Sequence, residues 1–292
     1  MEEEKEMKCS QLIAPLALLS LMAAACAPAA APPPPANPPA PAADTPLSAT
    51  DTPPPATSAP QEPKVKITYE ENAQFELVSP QGTRVLIDIA DPPKLTSPAT
   101  DKDILLTTHG HGDHINSEFA KSFPGQQLKI QEGEIKQADV AVKAIKAAHN
   151  ATAPDGSNYI YVVDMGGLRI AHFGDLGQEK LTQDQLDQLG AVDVALSQLE
   201  NSYSAMSLAN KKGFNQMEQV KPKLLIPTHG NGNMEVLKYA LGLWKEGYAN
   251  LSPVVIGRSD LSAGGTKLLI LGDKSLVPAY QKMLNLPAWG KQ

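Results

Sequence analysis

Cysteine is nearly missing: Cys9 and Cys26 are the only two in 292 residues, and none follows position 26. A disulfide framework is therefore excluded for the rest of the chain, which must be held by a hydrophobic core. Long apolar runs are scarce too. The one that stands out, residues 12–25, contains Pro15 and Ser20 and falls short of the roughly 20 residues a membrane-crossing helix needs. Nor does charge of one sign dominate. Residues 64–292 carry 23 basic and 25 acidic side chains, a balance that argues against a general electrostatic grip on nucleic acid or anionic membrane. Residues 27–63 have almost no large apolar side chain, Leu47 being the exception, and hold 14 Pro and 11 Ala among 37 positions. Such a segment cannot offset its chain entropy by burial and is expected to be disordered. The foldable part is residues 64–292, a size suited to one domain.

The front of the chain reads as an address. Lys8 precedes the short apolar run, which closes on small residues and Cys26, the form of a secretory signal. Residues 1–26 resemble a bacterial lipoprotein signal, in which the cysteine is lipidated and becomes the new N-terminus. Ala23 stands where that pattern more often has Leu. The acidic positions 2–6 have the wrong sign for a signal's front, which predicts a translation start at Met7. On this reading the body is exported and lipid-anchored at Cys26, on the cell surface or in the periplasm. The Pro/Ala segment would then be a stalk, since such sequence favours extended, semi-rigid conformations.

From position 64 the pattern acquires period two. Val65, Ile67 and Tyr69 alternate with polar residues, and residues 75–78 and 84–89 continue the strand signal, with a turn at Gln81-Gly82. Residues 104–108 form a short buried strand running into His109. Residues 159–163 and 168–173, around Gly166-Gly167, make a hairpin. Helical spacing begins at Leu181, Leu186 and Leu189 and leads to a strand at 192–196. Helices are predicted at 208–220 and 234–245, and strands at 224–226 and 266–271. Strands come first and strand–helix alternation later, which predicts an α/β or α+β body. No repeat period stands out.

Three of the six histidines fall within six residues, in Thr108-His109-Gly110-His111-Gly112-Asp113-His114. At this composition a chance match to that pattern is about one in ten thousand. Imidazoles and carboxylates are ligands for borderline divalent metals. A helix would set residues two apart at about 200° to each other, whereas an extended loop with glycines can aim His109 and His111 at one ion. Asp113 and His114 then turn toward a second. Both ions need further donors. Candidates lie just beyond predicted strands: His149, after a run that could be strand or helix; Asp175, past the hairpin; and His229, past an apolar strand.

In order and spacing these elements resemble the metallo-β-lactamase superfamily. More narrowly, the chain resembles a bacterial hydrolase branch related to ascorbate-phosphate lactonase and to uncharacterised zinc-dependent hydrolases. The text His172-Phe173-Gly174-Asp175-Leu176-Gly177, with Leu181-Thr182 and Val192-Asp193-Val194, is especially similar, and the likeness spans residues 69–230. The resemblance implies an αββα sandwich, two facing mixed sheets flanked by helices. It implies His109, His111 and His149 on one ion, Asp113, His114 and His229 on a second, and Asp175 bridging them. The ions would be zinc, with manganese or iron as alternatives. Where relatives carry a Gly-Gly-x-x-Thr segment near substrate, this chain has Gln198-Leu199-Glu200-Asn201-Ser202-Tyr203-Ser204, so no substrate is carried over.

That set would support hydrolysis by metal-activated hydroxide, with Asp113 as the catalytic residue, orienting the nucleophile or accepting its proton. Asp88 is a candidate partner for a ligating imidazole, or else a turn cap. Other residues read more simply. His172 is expected to be a packed histidine, Glu200 and Asn201 a solvated loop, and Tyr203 and Met206 buried apolar residues. Asn233 is expected to cap a helix, while Asn231 could donate to a substrate. Asp155-Gly156-Ser157 is a turn, Lys211-Lys212 a solvated face, and Leu237, Leu241 and Trp244 core. The expected function is a metal-dependent hydrolase of a small-molecule ester, lactone or phosphoester. Its alternative is an exported metal- or ligand-binding lipoprotein without chemistry. No nucleic-acid partner is expected, the membrane is met only through the lipid anchor, and the sequence does not fix the oligomeric state.

Overall fold

The computed structural model describes residues 61–229, 232–261 and 264–290. The expected signal sequence, the lipidation at Cys26, the Pro/Ala segment up to residue 60 and Asn231 lie outside the described residues. Glu62, near the end of that segment, is bonded to the body: its carboxylate accepts from the Ser259 amide at 2.6 Å and from the Ser259 hydroxyl. Among the described residues no helix is long and apolar enough to cross a membrane.

The chain runs β1 (Lys64–Tyr69), β2 (Phe75–Val78), β3 (Arg84–Ile87), β4 (Ile104–Thr107), α1 (Ser117–Ser122), β5 (Gln126–Lys129), β6 (Gly133–Gln137), β7 (Val140–Ala147), β8 (Asn158–Met165), β9 (Leu168–His172), α2 (Gln183–Leu189), β10 (Val194–Gln198), α3 (Lys212–Val220), β11 (Leu224–Thr228), α4 (Met234–Trp244), β12 (Glu246–Leu251), β13 (Val254–Gly257), β14 (Lys267–Gly272) and α5 (Val277–Leu284). Six strands form one mixed sheet in the order β13-β1-β2-β3-β4-β5. Eight form the other in the order β12-β14-β11-β10-β9-β8-β7-β6.

Strand alternation sorts the apolar side chains into three layers. Val65, Ile67, Phe75, Leu77, Val85, Ile104 and Leu106 from the smaller sheet meet Tyr161, Val163, Ile170, Leu196 and Ile226 from the larger one, and this is the central core. The opposite face of the larger sheet, with Ile160, Val162, Ala195, Leu225 and Ile270, packs on Leu189, Phe214, Leu237 and Tyr280 from the helices. The outer face of the smaller sheet, with Leu86 and Leu105, is covered by Ala120 and Phe123. The layers are therefore helix, sheet, sheet, helix. β10 and β11 are buried on both faces, which is why each opens on three consecutive apolar residues.

The helix expected from residue 208 starts later, at Lys212. Lys211 has a left-handed backbone, φ +55°, which an α-helix cannot continue, and the Asn210 side chain accepts the Lys212 N–H at 3.1 Å. Lys212 is not solvated: it is buried, and its ammonium donates to the Gly177 carbonyl at 2.9 Å and pairs with Glu179. Asn233 does cap α4, accepting from Glu235 and Val236.

Candidate metal centre

Strand direction decides where the polar residues gather. β9, β10 and β11 run parallel. β8 is antiparallel to both β7 and β9, so β7 runs with them. Hence β7, β9, β10 and β11 all finish on one edge. The chain just past three of these ends carries His149, Asp175 and His229. From the other sheet, β4 ends at Thr107 and delivers residues 109–114 to the same place. The Tyr159 amide donates to the Thr108 carbonyl at 3.0 Å. Beneath the site the Tyr161 hydroxyl lies 2.9 Å from both the Thr107 and the Leu128 carbonyl oxygens and shares its proton between them.

Local backbone features make these approaches possible. Gly174 has φ +53°, and a Cβ there would sit 2.5 Å from Asn158 Oδ1 and 2.7 Å from Thr108, so only glycine makes the turn into Asp175. A Cβ on Gly177 would lie 1.9 Å from the His149 carbonyl oxygen. The His149 amide donates to Ser157 Oγ at 2.9 Å, which gives the 155–157 turn a role in holding that histidine. His229 is left-handed, φ +41°, and its amide donates to the Asn72 carbonyl at 3.0 Å.

All seven side chains singled out in the sequence fall into two groups: His109, His111, His149 and Asp175, and Asp113, His114 and His229. Within each group the potential ligand atoms lie within 4.8 Å of one another. Asp175 stands between them. Its Oδ2 faces His149 Nε2 at 3.4 Å and His109 Nε2 at 3.8 Å. Its Oδ1 faces His114 Nε2 and His229 Nε2, each at 3.3 Å. His109 Nε2 and His111 Nδ1 are 3.1 Å apart, and His114 Nε2 and His229 Nε2 are 3.2 Å apart. Asp113 Oδ2 lies 3.7 Å from His229 and 3.8 Å from His114. His109, His114, His149 and Asp175 are buried, while His111 and the 43 %-exposed Asp113 side chain open the site to solvent.

The donor set suits cations. Among the described residues seven buried side-chain polar atoms have no hydrogen-bond partner, and His149 Nε2 and Asp175 Oδ1 are two of them. These atoms approach each other's groups without hydrogen-bond geometry. Ring nitrogens converging at 3.1–3.2 Å need a proton or a metal between their lone pairs. Left unpaired, such buried atoms would cost folding free energy.

Asp88 organises the layer behind. It is fully buried, and Oδ1 accepts the Thr108 amide at 2.8 Å. Oδ2 accepts from Thr108 Oγ1 at 2.7 Å and lies 2.8 Å from His114 Nδ1 and 3.0 Å from His172 Nε2. A proton on His114 Nδ1 facing this carboxylate leaves Nε2 to point at the centre. His172 is therefore more than a packed ring: it shares Asp88 with His114, with its other face against Phe75.

The charges respond accordingly. Burial alone would raise the Asp175 carboxyl, but the imidazoles of His114, His149 and His229 hold it far below the usual range. Burial works against a charged His114, yet Asp88 and Asp175 push it up to about 10. Burial and the neighbouring His114 take His109 down to about 3. Asp113 is lowered, mainly by His229.

Asn201 departs from the solvated loop expected of it. It is 9 % exposed, and its amide donates to Asp175 Oδ2 at 2.9 Å. Its neighbour Glu200 accepts from Asn233 at 2.5 Å. Met206 is buried as expected, while Tyr203 is 81 % exposed. No periodicity signals a buried Asn in a polar loop, so the contact had no mark in the sequence.

A family model of the β-lactamase superfamily domain matches residues 66–229. A protein of Archaeoglobus fulgidus named UPF0173 metal-dependent hydrolase is 30 % identical over 199 residues, covering 57 % of this chain and 84 % of that one. A Koribacter versatilis protein of the same name is 26 % identical over 198 residues, covering 56 % and 84 %. A solved structure from the metallo-β-lactamase superfamily of Thermotoga maritima superposes with a TM-score of 0.53 at 20 % identity, over 71 % of this chain and all of that one, which is agreement in fold. Since the matched domain takes up more than half of the sequence and contains the whole histidine–aspartate cluster, the chain belongs to the β-lactamase superfamily.

Proposed function

We propose that this protein is a metal-dependent hydrolase with a two-cation centre. His109, His111 and His149 would hold one divalent ion, and Asp113, His114 and His229 the other. Asp175 would serve both, and zinc is the ion favoured by the imidazole-rich donor set. The observation that carries the reading is the Asp175 carboxylate, one oxygen turned to each nitrogen group and one of the two without a hydrogen-bond partner. The names of the relatives point the same way.

Bound divalent ions supply an acidified water and polarise a carbonyl or phosphoryl oxygen. The chain's own residues do the rest. Asp88 and Thr108 fix the tautomer and direction of His114. Asp113 is lowered in pKa and open to solvent, so it stays ionised, and it can orient an attacking water or accept its proton. Buried His109, His114 and His149 keep bulk water from the inner side. We propose an ester, lactone or phosphoester of a small molecule as substrate. We also propose that the protein is exported and anchored through a lipid on Cys26.

The test is a panel of esters, lactones and phosphodiesters offered to the purified full-length chain, with metal content measured in parallel. Turnover that chelation abolishes and zinc or manganese restores is the expected result. Full metal occupancy with no turnover across the panel would instead favour a binding protein. No bound ion after growth with metal supplied would end the two-cation reading.

A further inference from the structure

We propose that Asn201 is a positioning residue for Asp175: its side-chain amide locks the carboxylate so that the two oxygens serve the two donor groups unequally. The inference rests on the two-cation reading above.

The amide has only one orientation. Asn201 Oδ1 accepts the Tyr203 N–H at 2.9 Å, so Nδ2 must face Asp175. One Nδ2 proton goes to Asp175 Oδ2 at 2.9 Å and the other to Gln198 Oε1 at 2.8 Å. Gln198 is itself fully buried and donates from Nε2 to the Leu176 carbonyl at 3.2 Å. The same turn also holds the Asp175 backbone, because Ser204 Oγ donates to its carbonyl at 3.3 Å. From the other side, Asn158 Oδ1 accepts the Asp175 amide at 3.1 Å. Rotation of the carboxylate about Cβ–Cγ is thus blocked by a side chain that has no freedom of its own.

The consequence is asymmetry. Asp175 Oδ2 shares its electron density with the Asn201 proton and faces a group whose other donors are all imidazoles. Oδ1 has no hydrogen-bond partner and faces a group that already contains the Asp113 carboxylate. The Asp113–His114–His229 half therefore has the stronger donors and fills first. The other half depends on a preset Oδ2 for its cation. Aspartate would cap the Tyr203 amide equally well but would set a second carboxylate against Asp175, which explains why the amide stands here.

The experiment is stepwise addition of cobalt to the metal-stripped full-length chain, followed by visible absorbance, with Asn201→Leu and Asn201→Asp alongside. The native chain should take up two equivalents, the first more tightly. Asn201→Leu should keep the first step and weaken the second by about tenfold or more, the range for loss of a group that orients a ligand, with a changed spectrum for the second ion. Asn201→Asp, equal in shape and still able to cap Tyr203, decides the matter if the leucine variant does not fold, and should lose the second step at least as severely. Native affinity and spectrum for both steps in a folded variant, or tighter uptake by Asn201→Asp, would overturn the proposal alone. A native chain that takes up no cobalt would overturn the two-cation reading and the proposal with it.

Discussion

Two buried polar clusters of this molecule behave in opposite ways. On the outer face of the smaller sheet, Arg84 lies between Glu76 at 3.2 Å and Asp103 at 2.5 Å. Its guanidinium also donates to the Ser97 and Pro98 carbonyls at 2.9 and 2.8 Å, while Glu76 takes the Thr96 amide and hydroxyl and Asp103 takes the Thr100 amide. None of Glu76, Arg84 and Asp103 keeps a buried polar atom without a partner. At the metal centre, His149 Nε2 and Asp175 Oδ1 remain unpartnered and aimed inward. A closed network of this kind pins a loop. An open one, built at the edge where strands end, is poised for something that is not protein. Satisfaction of the hydrogen-bonding capacity, more than burial or charge, separates the two.

The contrast can be broken deliberately. Asp175→Asn should cost the largest amount of function, a fall in hydrolysis on the order of a thousandfold, with circular dichroism unchanged. Retained turnover would show that the open cluster does not carry the chemistry. Arg84→Met should do the reverse. Leaving two buried carboxylates unpaired costs about 3–5 kcal/mol of stability, read as a lower melting temperature, while metal content per folded chain stays at the native value. Loss of metal in that folded fraction would merge the two regions. Asp88→Asn is intermediate, because asparagine tolerates the left-handed backbone at this position (φ +50°). It should weaken metal binding by about 10–100-fold, measured by competition with a chelator, and an unchanged affinity would remove Asp88 from the centre's support.

The smallest effect belongs to Asp139, a half-buried counterpart of the closed network, whose carboxylate accepts from Ser79 at 2.8 Å and Thr83 at 3.0 Å. Burial alone would raise it, but these hydroxyls, with the Gln81 amide, together hold its pKa below the ordinary value of 3.8. A depressed carboxyl contributes stability above that ordinary value and loses it as the pH falls toward its folded value. Asp139→Asn should therefore lower the melting temperature slightly at pH 7, and the difference from the native chain should fade below about pH 3.8. A constant difference across that range would mean that the charge is not what matters.

Much of the sandwich was legible because its strands obey simple alternation: Val65, Ile67 and Tyr69 point one way, and the apolar runs of β10 and β11 announce burial on both faces. The His-x-His-x-Asp-His run named itself, and the distant members stood just past strand ends. Harder to see were β5, β6, β12 and β13, short or partly exposed strands whose residues alternate weakly. Arg84 and Glu76 look like the solvent side of alternating strands, and only the loop at 92–100 folding over them makes them interior. Asp88 gathers Thr108, His114 and His172 through the parallel pairing of β3 and β4, a long-range fact with no local signature. Asn201 is hidden for the same reason.

The phenol of Tyr161 acquires its importance from the fact that half of the centre hangs from each sheet. Residues 109–114 belong to one slab, and His149, Asp175 and His229 to the other. Any breathing of the slabs would be read out directly as a change in the gap between opposing donors. By clasping Thr107 and Leu128 from across the interior, that single hydroxyl works as a caliper. Together with the Tyr159 amide on the Thr108 carbonyl, it ties the 109–114 segment to the larger sheet and so holds the spacing of the opposing donors.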